Sequence, residues 1–252
     1  MTTVLGFGLA VVIGVLLGLL GGGGSIMTIP VLVYGLQVPM KEAVPMSLVV
    51  VGVTSLVGAA GHHRRGNVRW DAVLSFGPTA IIGAFAGARL AHFVSSRAQL
   101  LIFGCLMLAA AVSMYFGPAL WQKSADAGAA PPKRPFPVIA ALGFMVGMLT
   151  GLVGVGGGFL YVPALVLLGG LAMTDAVGTS LILIIASCLT GFVSYLGTIA
   201  LDWRATGLFT GLAIVGAVIG SRLVKSVSQS ALRRGFAVLL VVMGLLVLLK
   251  PR

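Results

Sequence analysis

Eight stretches of fifteen residues or more contain no Asp, Glu, Lys or Arg: 1–40, 43–61, 72–88, 98–122, 135–174, 176–201, 205–221 and 235–249. A helix needs about 20 apolar residues to cross the hydrocarbon core of a bilayer. Six of the stretches fit one crossing each. The stretches 1–40 and 135–174 are too long, because a helix over 4–36 would span about 50 Å against a core of about 30 Å. Each must break or fold back. The chain carries 16 Lys and Arg and 5 Asp and Glu, or 8% charged residues, where a soluble domain has roughly 25%. A soluble enzyme cannot be built on that surface, and a chain with 59% hydrophobic residues is not disordered. Long apolar runs also exclude the short alternating segments of a membrane β-barrel. The expected fold is an all-α polytopic membrane protein.

A shift of 133 residues aligns the two halves without a gap. Gly21, Gly23 and Gly24 fall on Gly154, Gly156 and Gly157, Pro30 on Pro163, and Ser47-Leu48 on Ser180-Leu181. Further on, Trp70 meets Trp203, and Gly83, Gly87 and Arg89 meet Gly216, Gly220 and Arg222. Apolar bias alone does not align Gly, Pro, Trp and Arg together. The expected organisation is a first transmembrane repeat over 1–121, a polar linker over 122–137 and a second repeat over 138–252. Duplication of this kind is a common build for secondary transporters. If each half is a re-entrant first segment plus three transmembrane helices, the halves are inverted. One membrane side then carries 10 of the 16 Lys and Arg, a larger asymmetry than parallel halves allow.

The breaks fall at Gly21-Gly22-Gly23-Gly24-Ser25 and Gly154-Val155-Gly156-Gly157-Gly158. Glycine weakens a helix by about 1 kcal/mol per residue relative to alanine. The freed backbone must be buried in protein or line a cavity. Amides at the start of a new half-helix are an anion site. The candidate substrate-binding residues are therefore Gly22, Gly23, Gly24 and Ser25, with Val155, Gly156, Gly157 and Gly158. The hydroxyls of Ser47, Thr179 and Ser180 lie one turn into the next helices, where they can face an anion or bond back to their own helix. The pairs Gly14/Gly18, Gly83/Gly87 and Gly216/Gly220 instead have the spacing of close helix packing.

Other features read as structural. Glu42 and Asp175 complement helix dipoles, and Arg89 and Arg222 anchor helix ends. Cys105 and Cys188 read as buried thiols with no metal-ligand spacing. His62-His63-Arg64-Arg65 reads as a solvated basic loop, with a pH-sensitive gate as the alternative. No catalytic residues, metal site or cofactor is expected, and the basic residues sit in loops rather than in a nucleic-acid patch. No carboxylate lies in mid-span, which favours anion movement driven by the membrane potential, about 2.3 kcal/mol per charge per 100 mV.

The segments GLVGVGGGFLYVPAL (151–165), GLLGGGGSIMTIPVL (18–32) and AVGTSL (176–181) resemble the TauE/SafE sulfite exporter family, also called TSUP. The first half departs from the pattern at Pro45-Met46, which removes a hydroxyl there. The resemblance implies a multi-pass bacterial inner-membrane transporter, an exporter of sulfite, organosulfonates or related sulfur oxyanions. The partners it implies are a small anion and the lipid bilayer, with a homodimer left open. A channel-like anion pore and a small-carboxylate transporter remain the alternatives.

Overall fold

The computed structural model describes residues 2–91, 93–125, 136–153, 158–193 and 201–249. These are helical throughout, with no strand among them. The first long segment forms α1 (Thr2–Leu20), breaks at Gly21-Gly22, and continues as α2 (Gly23–Pro30). Then follow α3 (Met40–His63), α4 (Trp70–Ala91) and α5 (Ser96–Ala125). The second half gives α6 (Phe136–Val153), α7 (Gly158–Pro163), α8 (Met173–Val193), α9 (Trp203–Leu223) and α10 (Gln229–Leu249). By length and composition, α8, α9, α10 and α3 from Glu42 onward suffice to cross a membrane. Apolar side chains such as Leu74, Ile82, Leu189, Leu208, Val238 and Leu246 stand exposed, as lipid-facing residues should.

The sequence expectation of a folded-back first segment holds. A Cβ at Gly24 would fall against the backbone of Ile13 and Leu17 on α1. Val31 and Leu32 pack with Ala10 and Ile13. Thus α2 returns antiparallel along α1, and Gly21, at φ 66°, makes the reversal that a side chain would resist.

Two features of the hairpins went unread in the sequence. After Pro30 and after Pro163 the helix widens into a π-turn, Val31–Gly35 and Ala164–Leu168. Proline has no N–H to give to the α-helical ladder, and the wider turn absorbs the defect. Both copies end alike: the amides of Val38 and Leu171 return to the carbonyls of Leu32 and Leu165 at 3.0 and 3.1 Å. The residues before these amides, Gln37 and Gly170, have φ of 57° and 67°. They are aligned partners in the repeat.

The halves interlace. α1 packs along α9, and its counterpart α6 packs along α4. Both contacts use the small-residue pairs. A Cβ at Gly14 or Gly18 would strike the backbone of Ala213, Ala217 or Ser221, and one at Gly216 or Gly220 that of Val11 or Val15. Gly83 and Gly87 meet Phe144 and Met148 in the same manner, and Gly147 and Gly151 meet Ala80 and Ala84. The residue numbers rise together, so the helices of each pair run parallel. The α3–α8 seam runs the other way: Leu48 meets Gly191, Gly52 meets Cys188, and Gly58 meets Leu181. Gly104 meets Leu248 and Gly244 meets Leu108 between α5 and α10. The repeat-equivalent pairs α3/α8 and α5/α10 are therefore antiparallel.

Of the linker proposed over 122–137, residues 126–135 lie outside the described residues, while α5 runs to Ala125 and α6 begins at Phe136. Cys188 is buried, but Cys105 is exposed on α5. Its expected burial in protein is corrected, since a thiol on a lipid-facing helix needs no polar partner.

Candidate functional site

The tip of the first hairpin touches the start of α7. Gly22 lies so close to Gly158 that a Cβ on it would fall on the Gly158 carbonyl. Ser25 Oγ would stand 3.1 Å from a Cβ at Gly158. On the other side of the tip, a Cβ at Gly21 would stand 2.6 Å from Ser180 Oγ and 3.3 Å from Val162. Phe236 and Leu239 of α10 close over Gly23. Gly21, Gly22, Gly23, Gly24 and Gly158 are all buried. The chain thus gathers Gly22, Gly23, Ser25, Gly158 and Ser180 at one junction. Gly24 faces α1 and closes its own hairpin. Val155, Gly156 and Gly157 lie outside the described residues.

The hydroxyls are engaged within the protein. Ser25 Oγ donates to the Gly22 carbonyl at 2.6 Å, Ser180 Oγ to Val177 at 2.8 Å, and Ser47 Oγ to Val44 at 2.7 Å. Thr179 Oγ1 accepts the Arg69 amide at 3.1 Å. Of the two sequence readings for the hydroxyls of the following helices, bonding back to the helix describes Ser47 and Ser180, and Ser25 bonds locally as well. The tip amides divide differently. Gly24 and Ser25 donate to Gly21 and Gly22 at 3.4 and 3.3 Å. The amides of Gly22 and Gly23 donate to no backbone carbonyl among the described residues. Orphan amides at a helix start are ordinary in water, but at a buried helix start they call for a partner.

Glu42 and Asp175 sit in the first turns of α3 and α8, as dipole complements should. Arg89 stands near the end of α4, its guanidinium 5.1 Å above the Phe85 ring. The HHRR segment departs from its expectation. His63 is exposed, but His62 is 0% exposed. Its Nε2 lies 3.1 Å from the Gly18 carbonyl. The signal was there: Val51, Ser55, Gly58-Ala59 and His62 form one buried face at helical spacing. Beyond His62, the segment Arg64–Arg69 folds over the start of α8. Asn67 O presses on Gly178, and the Arg65 guanidinium donates to the Ser221 carbonyl on α9. No cluster of three or more His, Cys, Asp or Glu that could hold a metal ion occurs among the described residues.

Apolar helices with exposed apolar flanks, interrupted by a buried glycine tip that meets the start of α7 at Gly158, define a multi-pass membrane protein. The chain belongs to the TauE/SafE sulfite exporter family, whose model matches residues 6–247. It is similar to a "Probable membrane transporter protein" of Xylella fastidiosa, 29% identical over 239 residues, covering 94% of this chain and 91% of the relative. The "Probable membrane transporter protein YdhB" of Bacillus subtilis is 27% identical over 236 residues, covering 94% and 96%. A Haemophilus influenzae protein of the same description is 27% identical over 257 residues, covering 94% of each. No solved structure matches the chain.

Proposed function

We propose that this chain is a secondary transporter of small sulfur oxyanions, such as sulfite or organosulfonates, working as an exporter in a bacterial inner membrane. The anion binds where the two glycine tips meet. The observation that carries this reading is the contact of Gly22 with Gly158 beside the amides of Gly22 and Gly23, which have no backbone partner among the described residues. Amides fixed by the backbone keep their donor character at every pH, and they hold an anion less tightly than buried arginines would. The anion can therefore leave again. Val155, Gly156 and Gly157 complete the cradle from the second half, with Thr179 and Ser180 beside it and Ser47 as the repeat counterpart of Ser180.

The proposed architecture is an inverted repeat with its two-fold axis in the membrane plane. Antiparallel packing of the equivalent helices α3 and α8, and of α5 and α10, supports it. The ends of α3 and α9 meet through Arg65 and Ser221, and the starts of α8 and α10 through Thr174 and Gln229. These contacts collect Arg64, Arg65, Arg69, Arg222, Lys225, Arg233 and Arg234 at one end, which is then the cytoplasmic one.

The test is uptake into proteoliposomes from a panel of sulfite, thiosulfate, sulfate, sulfoacetate and simple carboxylates. Saturable movement of the sulfur oxyanions is expected. Large unsaturable ion currents would instead mean a channel-like pore, and movement of carboxylates alone would move the substrate class.

A further inference from the structure

His62 is a buried ionisable group close to the first hairpin tip that the proposed cradle leaves unused. It lies at the end of α3, against α1 and α8. Its Nε2 meets the carbonyl of Gly18 at 3.1 Å, three residues before the tip glycine Gly21. Its Cβ would lie 3.0 Å from a Cβ at Gly178, the neighbour of Thr179. A carbonyl can only accept, so Nε2 carries the hydrogen and Nδ1 keeps a lone pair. Nδ1 is buried and has no hydrogen-bond partner among the described residues. Buried polar atoms without partners are uncommon and ask for a reason. An ionisable side chain shielded inside a membrane protein marks a functional site by default.

We propose that His62 is the proton-bearing ligand of the anion site, so that anion and proton bind together. Resting on the anion-transport reading, this deepens it by assigning the coupling ion. Neutral His62 presents a lone pair that repels an anion. A proton taken up at Nδ1 turns that lone pair into an N–H donor, while Nε2–H keeps its bond to Gly18. The Gly18 carbonyl belongs to the last turn of α1, whose negative dipole end favours a cation there. When the anion leaves, Nδ1 gives its proton to the same side. Net movement then follows the combined anion and pH gradients, with export wherever the outward anion gradient exceeds the inward proton gradient, in place of the potential-driven movement expected from the lack of mid-span carboxylates.

The charged surroundings are few. α1 and α2 bring no ionisable side chain. α8 brings Asp175, in its first turn. α9 brings Arg222, exposed in its last turn. On the chain's own side stand His63, Arg64, Arg65, bonded to Ser221, and Arg69, paired with Asp71 at 3.2 Å. Cations outnumber anions among these neighbours, so an incoming anion is a natural counter-ion for a protonated His62.

The experiment uses the full chain in proteoliposomes with the membrane potential clamped at zero. The probes are methanesulfonate, sulfate and thiosulfate, none of which changes charge between about pH 6 and 8. Anion flux and an internal pH dye are read together. In the wild type, flux should fall with rising pH, approaching about tenfold per unit once His62 is neutral, and each anion should carry a proton. His62→Gln, which keeps a donor for Gly18, should show a flat pH profile and no proton movement. His62→Asn serves if the glutamine variant is not recovered folded. His63→Gln should retain the wild-type profile. Wild-type flux without protons, or an unchanged profile in His62→Gln, overturns the assignment and leaves the transporter reading standing. Failure of the wild type to carry any of the three probes overturns the sulfur-oxyanion reading on which the assignment rests, and His62's place in it.

Discussion

Gly22 stands against the carbonyl of Gly158, so the two halves of the chain touch through bare backbone. Any side chain at position 22 must push the tips apart or block the space between them. Gly22→Val is expected to abolish anion transport while the outer helix pairs remain packed. Transport and thermal unfolding of the detergent-purified variant are the paired measurements. Normal transport by a folded Gly22→Val protein would place the anion site elsewhere.

Within α9 the glycines divide into two kinds. Gly207 and Gly211 have nothing within 4 Å of a Cβ position, while Gly216 and Gly220 rest on the backbone of Val11 and Val15. Gly211→Ala should stabilise the protein by about 0.5–1 kcal/mol, the ordinary cost of glycine in a helix. Gly216→Ala should lower the unfolding midpoint, because α1 must shift to admit the methyl group. Thermal melts of the two variants under one condition decide it, and equal shifts would contradict the close α1–α9 approach.

Gln37 occupies a left-handed backbone conformation that its repeat counterpart fills with Gly170. That conformation costs a non-glycine residue about 1–2 kcal/mol, partly offset by the greater freedom glycine gains on unfolding. Gln37→Gly is therefore expected to raise the midpoint, by an amount on the order of 0.5–1 kcal/mol. Since Gln37 is exposed, little side-chain packing is lost.

Thr179 takes the Arg69 amide and so ties the Arg64–Arg69 segment to α8. Thr179→Ala leaves that amide without its partner, at a cost of about 1–3 kcal/mol. Thr179→Ser should restore most of it. Hydrogen exchange at the Arg69 amide, faster in the alanine variant and near normal in the serine variant, reads the bond directly.

Much of this was legible beforehand. The charge-free stretches mark the helical segments, and the 133-residue register marks the breaks, because glycine and proline act on the backbone locally. The small-residue pairs announce close packing, yet nothing in Gly14/Gly18 says that the partner is α9, some 200 residues away. That choice depends on how two copies of a fold meet. The π-turns stayed hidden because a proline inside a helix can be met by a kink, a break or a widened turn. His62 was misplaced because HHRR has the composition of a surface loop. Helical spacing with Ser55 and Ala59 governs its burial instead.

The interlaced pairing of α1 with α9 also bears on how the protein is made. A ribosome adding about 5–20 residues per second takes about 10–40 s to pass from the end of α1 to the end of α9. For that interval α1 is in the bilayer without its companion, its small-residue groove open to lipid or to a chaperone. α4 waits for α6 more briefly. Neither half can finish assembling before the other has been synthesised, so the chain matures as one unit, late, when its last helices arrive.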